Sequence, residues 1–113
     1  MKPGDLVLIP FPHTNLEPGK LRPALVLAVA PGRHADVLMA LVTSRVSQAV
    51  PQFDELLSPA DADFPATNLK TASVVRLARL ATVDARVVWA RLGSIGPERL
   101  TSIRHRLIAW LQI

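Results

Sequence analysis

"PGDLVLIPFPHTNLEPGKLRPALVLA", residues 3–28, decides how the rest of this chain is read. Two aliphatic runs, Asp5–Ile9 and Ala24–Val29, flank a polar segment punctuated by Pro10, Pro12, Pro18 and Gly19. Proline gives a sheet no donor and glycine permits tight turns, so positions 10–20 read as a loop between two strands. The second run is apolar at nearly every position, the pattern of a strand buried on both faces. At its mouth stands Arg22, directly before Pro23. Proline biases the preceding residue toward extended backbone, which places a permanent charge at the end of a rigid strand. Taken alone, that charge caps the strand or pairs with Asp5 or Glu17.

Working outward, Pro31-Gly32 turns the chain and Asp36–Val42 runs back as a third strand. Short strands joined by tight turns favour antiparallel pairing. The stretch 46–69 is the least regular, broken by Pro51, Pro59 and Pro65, with Leu56-Leu57 as a short strand. Ser73–Leu77 and Val87–Leu92 read as further strands. Gly96-Pro97-Glu98 opens a helix, with glycine at the cap, proline in the first turn and an acid near the positive end of the dipole. Leu100, Ile103, Leu107, Trp110 and Leu111 follow at helical spacing as one apolar stripe, leaving Arg99, Arg104 and Arg106 largely off it. The expectation is a mainly β chain: one domain over 1–113, a small, strongly curved antiparallel sheet or barrel with a C-terminal helix.

Half of the 113 residues are hydrophobic, yet no apolar run is long enough for a membrane span. Positions 1–10 hold no secretory signal core, so the expectation is a cytoplasmic protein that binds no membrane. Without cysteine there is no disulfide framework or thiolate metal site. Three scattered histidines, His13, His34 and His105, do not make a metal-ligand pattern either. The net charge of +4 hides an asymmetry, because Asp54, Glu55, Asp61 and Asp63 fall in a stretch with no Lys or Arg. Without those four acids the chain carries thirteen bases against five acids, an excess of +8. Such a surface attracts polyanions, nucleic acid foremost. The plainer alternative is that arginine only solubilises the chain. The acidic stretch reads most simply as a solvated loop, or else as a shield over a basic groove in a partner subunit.

The opening segment resembles the start of the MazF/PemK family of toxin endoribonucleases, whose members begin with a Gly-Asp-aliphatic strand, a polar loop, then Arg-Pro and an aliphatic strand. "MALVTSR", "SVVRLARLATVD" and "ARLGSIGPERLTSIRHRL" continue the likeness in order, leaving 46–69 unmatched. The resemblance implies an SH3-like barrel with a C-terminal helix, acting as a homodimer. It implies sequence-selective cleavage of single-stranded RNA without a metal or other cofactor, and a cognate antitoxin with an acidic flexible segment. The alternative is a non-catalytic SH3-like toxin or binding module that acts on a protein such as a DNA topoisomerase.

By that resemblance Arg22 matches the family's catalytic arginine and Thr43 its second active-site residue. Cleavage by the substrate's own 2′-hydroxyl adds negative charge at phosphorus, which a fixed guanidinium stabilises through two oxygens at once. Ser44 is a candidate helper. Arg45 stands where many members have glutamine, a change that bears on which bases are read. Arg76 is a candidate for catalysis or RNA binding; some members place a carboxylate two residues after such an arginine, where this chain has Ala78. His13, Thr14, Asn15 and Lys20 are RNA-contact candidates in the first loop. Trp110, on the helix stripe, reads as core, and Trp89 as half-buried in a strand or at a dimer surface.

Overall fold

The computed structural model describes residues 1–11, 20–33 and 35–113. Six strands form one antiparallel sheet: β1 (Asp5–Ile9), β2 (Arg22–Val29), β3 (Asp36–Thr43), β4 (Glu55–Leu57), β5 (Ser73–Asp84) and β6 (Ala90–Ser94), in the order β4-β5-β3-β2-β1-β6. Two helices, α1 (Phe64–Thr67) and α2 (Pro97–Leu111), complete the fold. The curved antiparallel sheet and the C-terminal helix expected from the sequence are both present. Among the described residues no helix is long and apolar enough to cross a membrane.

Register breaks curl the sheet. They fall between Leu6 and Val7, between Val26 and Ala28, and between Ala40 and Leu41, where the partner strand skips from Leu80 to Arg76. Bulges of this kind bend a strand and increase its twist. The curl creates two apolar clusters from the alternating faces of the central strands. One joins Leu6, Leu25, Ala40, Val42 and Leu77 to Ile103 and Leu107 of α2; the other joins Val7, Ile9, Ala24, Val26, Val37 and Met39. This is why the second strand is apolar on both faces, as its sequence predicts.

Two expected elements are displaced. β5 runs twelve residues, well past Leu77, because its halves serve different clusters: Val75 and Leu77 pack in the first, Ala81 and Val83 against the second. The last strand begins at Ala90, since Ala85–Val87 forms a 3₁₀ turn with Asp84 accepting the Arg86 N–H. The helix opens at Gly96 and Pro97 as expected, but its stripe ends early. Ile103 and Leu107 are buried, whereas Leu111 is exposed and Trp110 is 40% exposed, edge-on to Phe53. Trp110 is therefore not a core residue, and Trp89, at 73% exposure, is not half-buried.

The acidic stretch is not a solvated loop. Arg99 of α2 uses all five of its N–H donors on it: Nε and Nη2 to the two oxygens of Asp63, Nη2 also to Asp61, and Nη1 to Glu55 and the Leu56 carbonyl, all at 2.8–2.9 Å. Arg106 adds the carbonyls of Phe53 and Asp54 and the Glu55 carboxylate. The stretch is thereby riveted to the helix, and it also meets the far edge of the sheet. A Cβ at Gly93 of β6 would lie 2.1 Å from the Ala66 carbonyl oxygen of α1, so only glycine permits this approach. Because backbone rather than a flexible side chain blocks the space, Gly93→Ala is expected to cost about 3 kcal/mol. The check is a lower urea midpoint at unchanged slope.

Acid should release the same rivet. Its hydrogen bonds to Arg99 are the main reason that Asp63 titrates at about 2 rather than 3.8. The Ser58 backbone N–H and then Arg99 also lower Asp61. A carboxyl depressed on folding stabilises the fold fully above its unfolded value and loses that contribution as the pH falls through its folded value. Asp63 should therefore contribute roughly 1–2 kcal/mol above pH 4, after solvent screening, and progressively less toward pH 2. Denaturant midpoints measured at pH 5, 4, 3 and 2 check this.

Candidate active site

The strand ends that the sequence singles out converge at one rim of the sheet. Leu41 of β3 faces Ala24 of β2, and side chains two apart share a face. Arg22 therefore lies on the face of Ala24 at the start of β2, and Thr43 on the face of Leu41 at the end of β3. Both line a cavity of about 470 Å³ whose wall includes Ser44, Arg45, Gln48 and Lys70. Among the described residues, none that lines it is Asp or Glu.

Arg22 is half-buried, and among the described residues no ion pair involves Arg22, Arg45 or Lys70. Among the described residues, five acids that could neutralise the rim are engaged elsewhere. Asp5, one of the two alternative partners for Arg22, instead pairs with Arg91 at 3.2 Å and accepts the Lys2 backbone N–H. Asp54, Glu55, Asp61 and Asp63 answer Arg76, Arg99 and Arg106. Withdrawal of the acids into the helix contact leaves this rim as a concave basic surface.

Thr43 has a second use for its hydroxyl. The Oγ1 atom accepts the Arg45 backbone N–H at 3.1 Å, which turns the chain out of β3 and into the 3₁₀ turn Val46–Gln48. An accepting hydroxyl still has its own proton to donate, so Thr43 shapes the rim and remains a donor toward the cavity. A fixed guanidinium beside a hydroxyl donor, with two further bases on the wall, is chemistry suited to a phosphodiester.

The other sequence candidates divide. Ser44 and Arg45 are exposed on the cavity wall. Lys20 is exposed two residues before β2 but is not part of that wall. Arg76 is absent from the wall too: its Nε lies 3.1 Å from Asp54 Oδ2 and its Nη1 donates to Gln48 Oε1 at 3.1 Å. Ala78 sits exposed in the bulge between Arg76 and Leu80. His13, Thr14 and Asn15, like Glu17 and His34, lie outside the described residues.

Sequence reading missed several wall residues, among them Gln48, Asn68 and Lys70. Asn68 ends α1 in the left-handed conformation, at φ 57°, which asparagine tolerates better than most residues. Its side-chain amide donates to the Leu92 carbonyl at 2.7 Å, fixing the segment across the edge of the sheet. The one signal available for Lys70 was its place as the first base after the base-free stretch.

With this geometry in hand, the chain compares with known proteins as follows. The family described as "PemK-like, MazF-like toxin of type II toxin-antitoxin system" matches residues 2–111. Among solved structures, an endoribonuclease in complex with its cognate antitoxin from Mycobacterial species is similar with a TM-score of 0.67 at 19% sequence identity. The likeness covers 100% of this chain and 96% of that one. At such identity it speaks to the fold. No curated protein matches the chain.

Proposed function

Since the chain belongs to the PemK-like, MazF-like toxins of type II toxin-antitoxin systems, we propose that it is a sequence-selective endoribonuclease that cleaves single-stranded RNA at the cavity of Arg22 and Thr43. The observation that carries this reading is the pairing of those two side chains on a base-lined wall that holds no carboxylate among the described residues. Arg22 holds the scissile phosphate through two oxygens and stabilises the charge that grows there as the neighbouring 2′-hydroxyl attacks. Thr43 donates to the same phosphate or orients the attacking oxygen. Lys70 and Arg45 draw the flanking phosphates into the cavity, with Ser44 as a helper. The reaction leaves a 2′,3′-cyclic phosphate and a 5′-hydroxyl, and the guanidinium takes the place that a metal ion fills in other nucleases.

The test is incubation of the purified protein with a mixed single-stranded RNA ladder in EDTA. Discrete cleavage is the expected result; activity that vanishes in EDTA and returns with magnesium contradicts the metal-free part of the proposal.

The proposal extends to partners. The protein acts in the cytoplasm as a homodimer, inhibited by an antitoxin that lays a flexible, acidic, partly apolar segment along the basic rim. The endoribonuclease with a similar fold is held by its own antitoxin, which supports a partner of that kind here. RNA and antitoxin then compete for Arg22 and its neighbours. Log affinity for single-stranded RNA should fall by about 0.7 per log unit of salt for each phosphate contacted.

A further inference from the structure

Gln48, Arg76 and Asp54 form a relay that runs from the buried edge of the sheet to the cavity wall. Asp54 has a side chain only 1% exposed, and its carboxylate accepts the backbone N–H groups of Val50 and Leu77, each at 2.9 Å. It holds the Arg76 guanidinium, itself 16% exposed. Arg76 in turn donates to Gln48 Oε1. A guanidinium has only donors, so the oxygen of the Gln48 amide must face it. The amide group therefore has one orientation, its acceptor engaged with Arg76 and its two N–H donors left for whatever enters the cavity that Gln48 lines. Gln48 is also fixed from its backbone, whose N–H donates to the Arg45 carbonyl at 3.0 Å within the turn that Thr43 starts.

Resting on the reading of this cavity as an RNA site, we propose that Gln48 selects a base and that Arg76 is the positioning residue that fixes how Gln48 reads it. A free glutamine offers a donor and an acceptor together and can pair bidentately with adenine. With its oxygen turned toward Arg76, Gln48 presents its N–H donors to the cavity. It favours a base edge that presents an oxo group, O4 of uracil or O6 of guanine, over one that presents an amino group there, N4 of cytosine or N6 of adenine. Arg76, its charge answered by Asp54, contributes to recognition through this amide and not through a phosphate. One neutral hydrogen bond at an exposed position corresponds to a preference of about two- to tenfold.

The test uses a pool of 2′-O-methyl RNA heptamers randomised at every position, with the bound fraction sequenced. The methyl group removes the nucleophile, so the readout does not depend on cleavage. The wild type should show one position where uracil and guanine exceed cytosine and adenine by about two- to tenfold. Gln48→Ala should flatten that position alone, and Gln48→Glu, which offers only acceptors, should reverse it. Arg76→Ala should flatten the same position, with no further loss when combined with Gln48→Ala. Since Arg76→Ala strips the buried Asp54 of its ion pair and can fail to fold, the two surface variants at Gln48 decide the matter by themselves. A profile that both leave unchanged overturns the proposal, as does a wild-type profile with no oxo preference at any position. Absence of cleavage with the selection intact counts against the nuclease reading of Arg22 and Thr43 and leaves this one standing.

Discussion

Arg22→Ala should lower the single-turnover rate of RNA cleavage by roughly a hundred- to a thousand-fold, with a smaller change in RNA affinity. The size follows from what Arg22 is: a preorganised donor at the end of a strand paired on both sides, opposite the buried Ile9 and two residues from the buried Ala24. Pro23 adds its own backbone constraint, so little reorganisation is needed when charge develops on the phosphate. Ground-state binding is shared with Arg45 and Lys70, which line the same cavity, and it should survive the loss of one cation better than the chemical step does. Thr43→Ala should act in the same direction with a smaller effect, because one neutral hydrogen bond is lost. It also removes the acceptor of the Arg45 N–H, so part of its effect should appear in binding. Rapid-quench kinetics at saturating protein separate the two quantities. An Arg22→Ala variant that binds weakly yet cleaves at the wild-type rate once saturated would make Arg22 a docking residue.

Arg99→Met should lower stability by about 3 kcal/mol at neutral pH. The side chain is 14% exposed, and each of its five donors has an acceptor, four of them oxygens of three ionised side chains. Methionine keeps much of the packing volume and removes every one of those bonds. Glu55 retains Arg106, but Asp61 and Asp63 are left facing each other with no cation between them. Lysine should rescue little, since one ammonium cannot reproduce a planar fork that holds both oxygens of Asp63. Urea unfolding of the purified variants measures the loss. The wild-type decline in stability between pH 4 and pH 2 should flatten in Arg99→Met, because Asp63 then loses the partner that depresses its titration most and keeps only backbone N–H donors such as that of Gly96. A variant of unchanged stability, or one that keeps the acid slope, would mean that the cluster is not the rivet described above.

The part of the site that was legible in the sequence lies on regular strands. Arg22 and Thr43 are reached by period-two counting and by the Arg-Pro step, and the antiparallel register does the rest. The part that was not legible depends on partners far along the chain. Arg99 binds acids 36 to 44 residues away, and Gly93 meets Ala66 of α1, 27 positions earlier in the chain. Neither leaves a local pattern, so the stretch 46–69 looked like a loop and the wall residues Gln48, Asn68 and Lys70 went unnoticed. β5 was cut short for a related reason. After Leu77 its apolar residues turn to a different cluster across a bulge, and that break interrupts the alternation by which a strand is recognised. Trp110 and Leu111 continue the spacing of the α2 stripe, but the sheet does not extend far enough to cover them.

The most direct test of the central claim is end-group analysis of a short RNA cut by the purified protein in EDTA, alongside the same RNA with a single 2′-deoxy nucleotide on the 5′ side of the cut. The account predicts a 2′,3′-cyclic phosphate and a 5′-hydroxyl from the first RNA, and no cut at that position in the second. Cleavage of the deoxy-substituted RNA at the same bond, or a product with a 5′-phosphate, would contradict it.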